Sequence, residues 1–177
     1  MRWKDKLIKD FEEIVDGSQK NEFKVYLHKI QCQEVNLHLA IFNEPFLNFV
    51  LTGIKTIESR LSINNVAPFR RVLPGDIVFV KKSSAGLCAI FEVGAVHYFT
   101  NLKQKTYEMV NSEFGKKLCW NSDPEFLNLK SQSKFLSLIT IDNLKIFEEF
   151  KINKSDRTGW VVIRRGLQNT LFDEKNK

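Results

Sequence analysis

The chemistry of this sequence concentrates in one run, Gly53-Ile54-Lys55-Thr56-Ile57-Glu58-Ser59-Arg60. If the run is extended, residues i, i+2 and i+4 share a face. Thr56, Glu58 and Arg60 then point one way, and Lys55, Ile57 and Ser59 the other. One charge of each sign stands on the first face, two residues apart. A lone charge on a buried face is too costly to persist, so the two must neutralise each other or share a ligand. Lys55 directly follows a helix stop, where strict alternation can fail, so its ammonium can reach the same face. Arg60 offers a planar fork that matches phosphate or a base edge. An ionised Glu58 only accepts hydrogen bonds, which suits an amino group such as that of cytosine or guanine. Lys55 adds a point charge for a backbone phosphate, and Thr56 can donate or accept. The plainer alternative is an exposed edge strand with a surface ion pair, worth under ~1 kcal/mol.

The flanking elements must position these side chains. Residues 35–41 alternate with period two and read as a half-buried strand. Asn43 can cap a helix whose first turn suits Pro45, and Phe46, Phe49 and Val50 give it an apolar face before Gly53 stops it. Pro74-Gly75-Asp76 is a turn, and Ile77-Val78-Phe79-Val80 a short buried strand. A strand pair is expected over 86–98, with Gly94 as its bulge. Residues 101–119 read as a helix with Leu102, Tyr107, Val110 and Phe114 inward, and Ser122-Asp123-Pro124-Glu125 starts another. Strand patterns return over 134–150 and at Trp160-Val161-Val162-Ile163. Ahead of all this, Trp3, Leu7, Ile8, Phe11, Ile14 and Val15 form one helical stripe that Asp16-Gly17-Ser18 ends. Residues 23–30 alternate more as a strand does. The expected organisation is an N-terminal extension over 1–33, a body over 35–166 and a polar tail over 167–177. The body reads as mainly β with α, an α+β fold: a closed or nearly closed β-barrel with short helices outside it.

Composition narrows the class. The 177 residues are 43% hydrophobic and 27% charged, which excludes collagen-like, disordered and disulfide-scaffold chains. No apolar run approaches the ~20 residues that cross a bilayer, and the charged start leads into no secretory core, so no membrane role is expected. Cys32, Cys88 and Cys119 are too scattered for zinc or a disulfide framework and read as reduced core thiols of a cytoplasmic protein. His28, His38 and His97 lack ligand spacing, and His38, between Leu37 and Leu39, reads as structural. Gly115-Lys116-Lys117 lacks the rest of a phosphate loop. No metal and no cofactor are expected. The 27 basic residues against 21 acidic leave +6, which permits a polyanionic partner. Arg70 and Arg71 after Phe69, Lys81, and Lys151 and Arg157 before Trp160 extend the basic footprint, and basic residues interleaved with aromatics suit a single-stranded nucleic-acid groove.

The spacing Gly-x-Lys-Thr-x-Glu-x-Arg, with a short helix before it and a Pro-Gly-Asp turn and apolar strand after it, resembles the ASCH family, a branch of the PUA-like fold. The resemblance covers roughly residues 35–166. It implies a small β-barrel ringed by helices, with Lys55, Glu58 and Arg60 lining a cleft for RNA or a nucleotide-like ligand. It also implies two other roles. Some small relatives act as amidohydrolases on N4-acylated cytidine through a lysine, a threonine and a glutamate, and others as ribonucleases. Lys55 matches that lysine, but Glu58 stands where the enzymes have threonine, and Thr56 lies two residues earlier; Lys55 and Glu58 are then the catalytic candidates. Coactivator relatives imply a protein-interaction domain, with the extension 1–33 serving a partner or a homodimer.

Overall fold

Segments with period-two alternation become strands, and segments spaced by three and four become helices, with one exception. In a computed structural model describing residues 2–17, 21–123, 125–154 and 158–167, six strands form one sheet. They are β1 (Leu37–Phe42), β2 (Ile57–Ser62), β3 (Ile77–Lys82), β4 (Leu87–Thr100), β5 (Phe135–Phe150) and β6 (Trp160–Arg164). The α-helices are α1 (Trp3–Gly17), α2 (Lys24–Cys32), α3 (Phe46–Leu51), α4 (Gln104–Leu118) and α5 (Phe126–Leu129). The exception is α2, where strand-like alternation was expected. Tyr26 and Ile30, one helical turn apart, are buried while Val25 is 60% exposed, so burial on one helical stripe overrides the alternation. The expected strand pair over 86–98 is instead the single strand β4.

The sheet order is β2-β5-β4-β3-β1-β6, antiparallel except for the β1–β3 pair. The chain leaves β4 at Thr100 and returns in register with it at Phe135, after the helical excursion through α4 and α5. Three register shifts break the β4–β5 pairing and bend it. One falls between Val93 and Val96, around Gly94, where a Cβ would lie 2.3 Å from Asp142 Oδ2. The bend curls the sheet into a half-barrel. Its hydrogen-bonded ring stays open between the edge strands β2 and β6, which makes it the nearly closed form of the expected barrel.

Both faces of β1 and β3 are buried, which is why their sequences run nearly continuously apolar. Leu37, Leu39, Ile77 and Phe79 face outward against Leu7, Phe11, Tyr26 and Ile30 of α1 and α2. Ala40, Phe42, Val78 and Val80 face inward with Phe91, Val93 and Trp160. α1 and α2 thus cover the outward face of these strands. A third core joins Ile57, Leu136 and Leu138 to Val110 and Leu118 of α4 and to Trp120. Of the three thiols, Cys88 and Cys119 are buried; Cys32, at the end of α2, is exposed, contrary to the core role expected of it.

His38 is structural. It is fully buried, its Nε2 lies 3.0 Å from Asp76 Oδ2, and Trp160 Nε1 lies 3.3 Å from its Nδ1. An indole N–H only donates, so Nδ1 accepts and the imidazole proton sits on Nε2, donated to Asp76. Asp76 also accepts from Asn36 N, Asn36 Nδ2 and Leu73 N. Among the described residues, no helix is long and apolar enough to cross a membrane.

Candidate functional site

Gly53 ends α3 in the left-handed conformation, at φ +74°, with its N–H donating to Val50 O. The next residues hydrogen-bond to helices before any strand forms: Lys55 N donates to Phe49 O and Thr56 N to Lys117 O. The chain therefore enters β2 from between α3 and α4, and Lys55 is carried inward. Its Nζ donates to Leu118 O at 2.8 Å, lies 3.5 Å from Glu58 Oε2 and sits 5.3 Å from the Phe46 ring centre.

From Ile57 onward the alternation holds. Glu58 and Arg60 share the inner face, Ile57 packs outward on α4, and Ser59 accepts from Trp120 Nε1 at 2.8 Å. Glu58 Oε1 lies 2.6 Å from Arg60 Nε, so one buried carboxylate is held between two cations and the trio carries a net positive charge. Arg60 also crosses the open seam. Its Nη2 donates to Ile41 O of β1 at 2.8 Å and its Nη1 to Gly159 O, just before β6, at 3.3 Å. Its guanidinium carbon stands 5.0 Å from the Phe42 ring centre and 5.3 Å from that of Trp160, within cation–π range of both. Burial pushes the Lys55 ammonium below its ordinary pKa, and the Glu58 carboxylate opposes that shift without cancelling it.

These three side chains line a cleft of about 340 Å³ at the seam, a size within the usual range for small-ligand sites. Phe42, Phe46, Phe126 and Trp160 supply aromatic surface, and Lys130 stands in the wall. Ser137, opposite Arg60 in the β2–β5 register, lines the cleft too, and its buried hydroxyl has no hydrogen-bond partner among the described residues. The structure thus brings Lys55, Glu58 and Arg60 together, and the exposed-edge alternative fails because Lys55 and Glu58 are 2% and 5% exposed.

The other expected residues lie elsewhere. Thr56 does not line the cleft: it precedes β2, where the two-residue period has not begun. Arg70 and Arg71 are exposed beyond the cleft lining. Lys81 turns into its own hairpin, donating to Ala85 O at 2.6 Å and Lys82 O at 3.1 Å. Lys151 is exposed and also outside the lining, and Arg157 falls outside the described residues. Glu92 lies outside the cleft lining and pairs with Lys29 of α2 at 2.7 Å. Sequence reasoning missed Phe46, Phe126, Lys130 and Ser137. Ser137 alone left a signal, a hydroxyl inside the apolar run Phe135-Leu136-Ser137-Leu138-Ile139. Among the described residues no group of three or more His, Cys, Asp or Glu could hold a metal ion.

No protein-family model and no curated protein matches the chain. Solved structures do. The ASCH protein from Zymomonas mobilis superposes with a TM-score of 0.56 at 9% identity, covering 77% of this chain and 94% of that one. Two single-residue mutants of the same protein give TM-scores of 0.55 and 0.56 at 10% and 9% identity, covering 77% and 78% of this chain. At such identities the likeness is one of fold: the chain shares the fold of that ASCH protein.

Proposed function

We propose that the chain binds single-stranded RNA or a nucleotide-like ligand, with a nucleotide seated in the seam cleft. The observation that carries this reading is Glu58 held between Lys55 and Arg60 on the floor of a cleft with aromatic walls. The net positive floor favours an anionic ligand. Glu58 accepts from a base amino group, the Arg60 fork meets a base edge or phosphate, and Phe46 and Phe126 offer rings for stacking. The ASCH fold and the +6 charge support the same reading. The exposed Arg70, Arg71 and Lys151 contribute attraction for a polyanion rather than base recognition. A cytoplasmic location accords with such a ligand and with three free thiols.

The test is fluorescence anisotropy of a labelled single-stranded RNA decamer at 50 and 200 mM KCl. Affinity is expected to fall with salt. Lys55→Met is expected to weaken binding at least tenfold while keeping a cooperative thermal transition. Binding that is absent at 50 mM KCl, or unchanged in Lys55→Met, overturns the reading.

One observation favours a hydrolase as the second reading. Burial lowers the pKa of Lys55 beside Glu58, which suits a proton acceptor. The substrates to try are N4-acetylcytidine and RNA, followed by chromatography. Turnover lost in Lys55→Ala supports it, and no turnover of either substrate removes it. Thr56 supplies no nucleophile on this reading, because it does not line the cleft.

A further inference from the structure

Beside the cleft lies a second hollow of about 620 Å³, between the segment after β2 and the turn from α5 into β5. Leu61, Ser62, Val66 and Lys130 line both, so the two form one continuous groove. Its walls are built by hydrogen bonds. Ser62 Oγ and Val66 N both donate to Asn64 O at 2.9 Å, and Ser131 N and Ser133 N donate to Asn128 O and Lys130 O. Lys134 N, donating to Ser62 O at 2.9 Å, ties one wall to the other.

The two halves of the groove differ in chemistry. The cleft holds buried charge. The second hollow is lined by the amides of Asn64, Asn128 and Gln132, with no carboxylate. Ile63, Val66 and Leu129 also line it, at 51%, 51% and 76% exposure. Single exposed aliphatic side chains are ordinary on a protein surface, but three around one hollow form a patch that an occupant would cover. Side-chain amides present donor and acceptor together, the pairing that reads a base edge. Aliphatic flanks accept the flat face of a base. Lys130 lines both halves and has no ion-pair partner among the described residues.

We propose that this hollow is a second subsite, which takes the neighbouring nucleotide of a single-stranded nucleic acid. Its base lies against Leu129, Ile63 and Val66, with the amides at its edge. Lys130, standing in the wall common to both halves, meets the phosphate that links the two nucleotides. The proposal rests on the reading of the cleft as a nucleotide site, and extends the ligand from one nucleotide to at least two.

Calorimetry on the full chain tests it, comparing the nucleoside monophosphate with the homodinucleotide for each of the four RNA bases. For the base that binds best, the dinucleotide is expected to bind at least tenfold tighter. Leu129→Glu and Asn64→Ala lie outside the cleft lining on exposed positions. Each is expected to remove most of that advantage while leaving monophosphate affinity within twofold. A dinucleotide no tighter than its monophosphate overturns the second subsite and leaves the cleft standing. So does an advantage that survives both substitutions. If neither ligand binds, the cleft reading falls and the second subsite falls with it.

Discussion

Arg60 combines two roles. It lines the cleft and it fastens the open edge of the barrel, through Ile41 O and Gly159 O. The two roles share one physical cause, since a guanidinium has five donors in a rigid plane and can meet a carboxylate and two carbonyls at once while its faces lie on aromatic rings. Arg60→Ala leaves Glu58 with Lys55 alone and removes the side-chain donors to Ile41 O and Gly159 O, of which Gly159 O still accepts from Ile41 N. The expected loss is about 3 kcal/mol of folding stability, measured by urea denaturation. Arg60→Lys is expected to recover less than half of it, because an ammonium cannot span the same partners. The identity of this trio was legible because alternation on β2 and the helix stop at Gly53 are local. The role of Arg60 across the seam was not, because Ile41 and Gly159 are brought to it only by the curl of the whole sheet. Thr56 was misplaced for a related reason: its backbone is claimed by Lys117, a partner 61 residues away that no local pattern announces.

At the scale of elements, α1 and α2 belong to the barrel. Their apolar stripes are used against β1 and β3, and Lys29 and Tyr26 pin α2 to the far side of the sheet. The Tyr26 phenol donates to Asn143 O, and Lys29 pairs with Glu92. Burial first, then the Glu92 and Asp142 carboxylates, hold the Tyr26 proton far above the ordinary phenol range. The folded chain therefore keeps this proton when the unfolded chain, with a pKa of about 10, releases it. The resulting stability is full below pH 10 and is lost as pH rises beyond it. Lys55 acts with the opposite sign, because its lowered pKa makes stability rise as pH approaches the ordinary lysine value. Comparing each protein with its own behaviour isolates Tyr26: from pH 9 to 11, the melting temperature of Tyr26→Phe is expected to fall less than that of the parent chain. Equal slopes would remove Tyr26 from the alkaline response. The strand reading of 23–30 failed because Phe23, Val25, Leu27 and Ile30 satisfy both periods loosely. Only contact with α1 and the sheet selects the helical one.

At the scale of the molecule, β1 and β3 are buried on both faces and the sheet keeps one open seam, where buried charge, aromatic rings and the Ser137 hydroxyl, unpartnered among the described residues, meet. The curl follows from register shifts in two long strands, and these are set by pairing between residues such as Val93 and Ile141 that are far apart in sequence. That is why the class of fold could be read from strand patterns while the seam, and the groove that continues it, could not. The net charge of +6 brings a polyanion to the surface without choosing where it docks. Localisation is therefore the decisive measurement. Single-stranded RNA carrying 4-thiouridine should be irradiated on the full chain and the linked peptides mapped by mass spectrometry. Links are expected at Phe46, Phe126 or Trp160, in the walls of the seam cleft. Links confined to the surface around Arg70, Arg71 and Lys151, with the cleft peptides unmodified at saturating RNA, would contradict it.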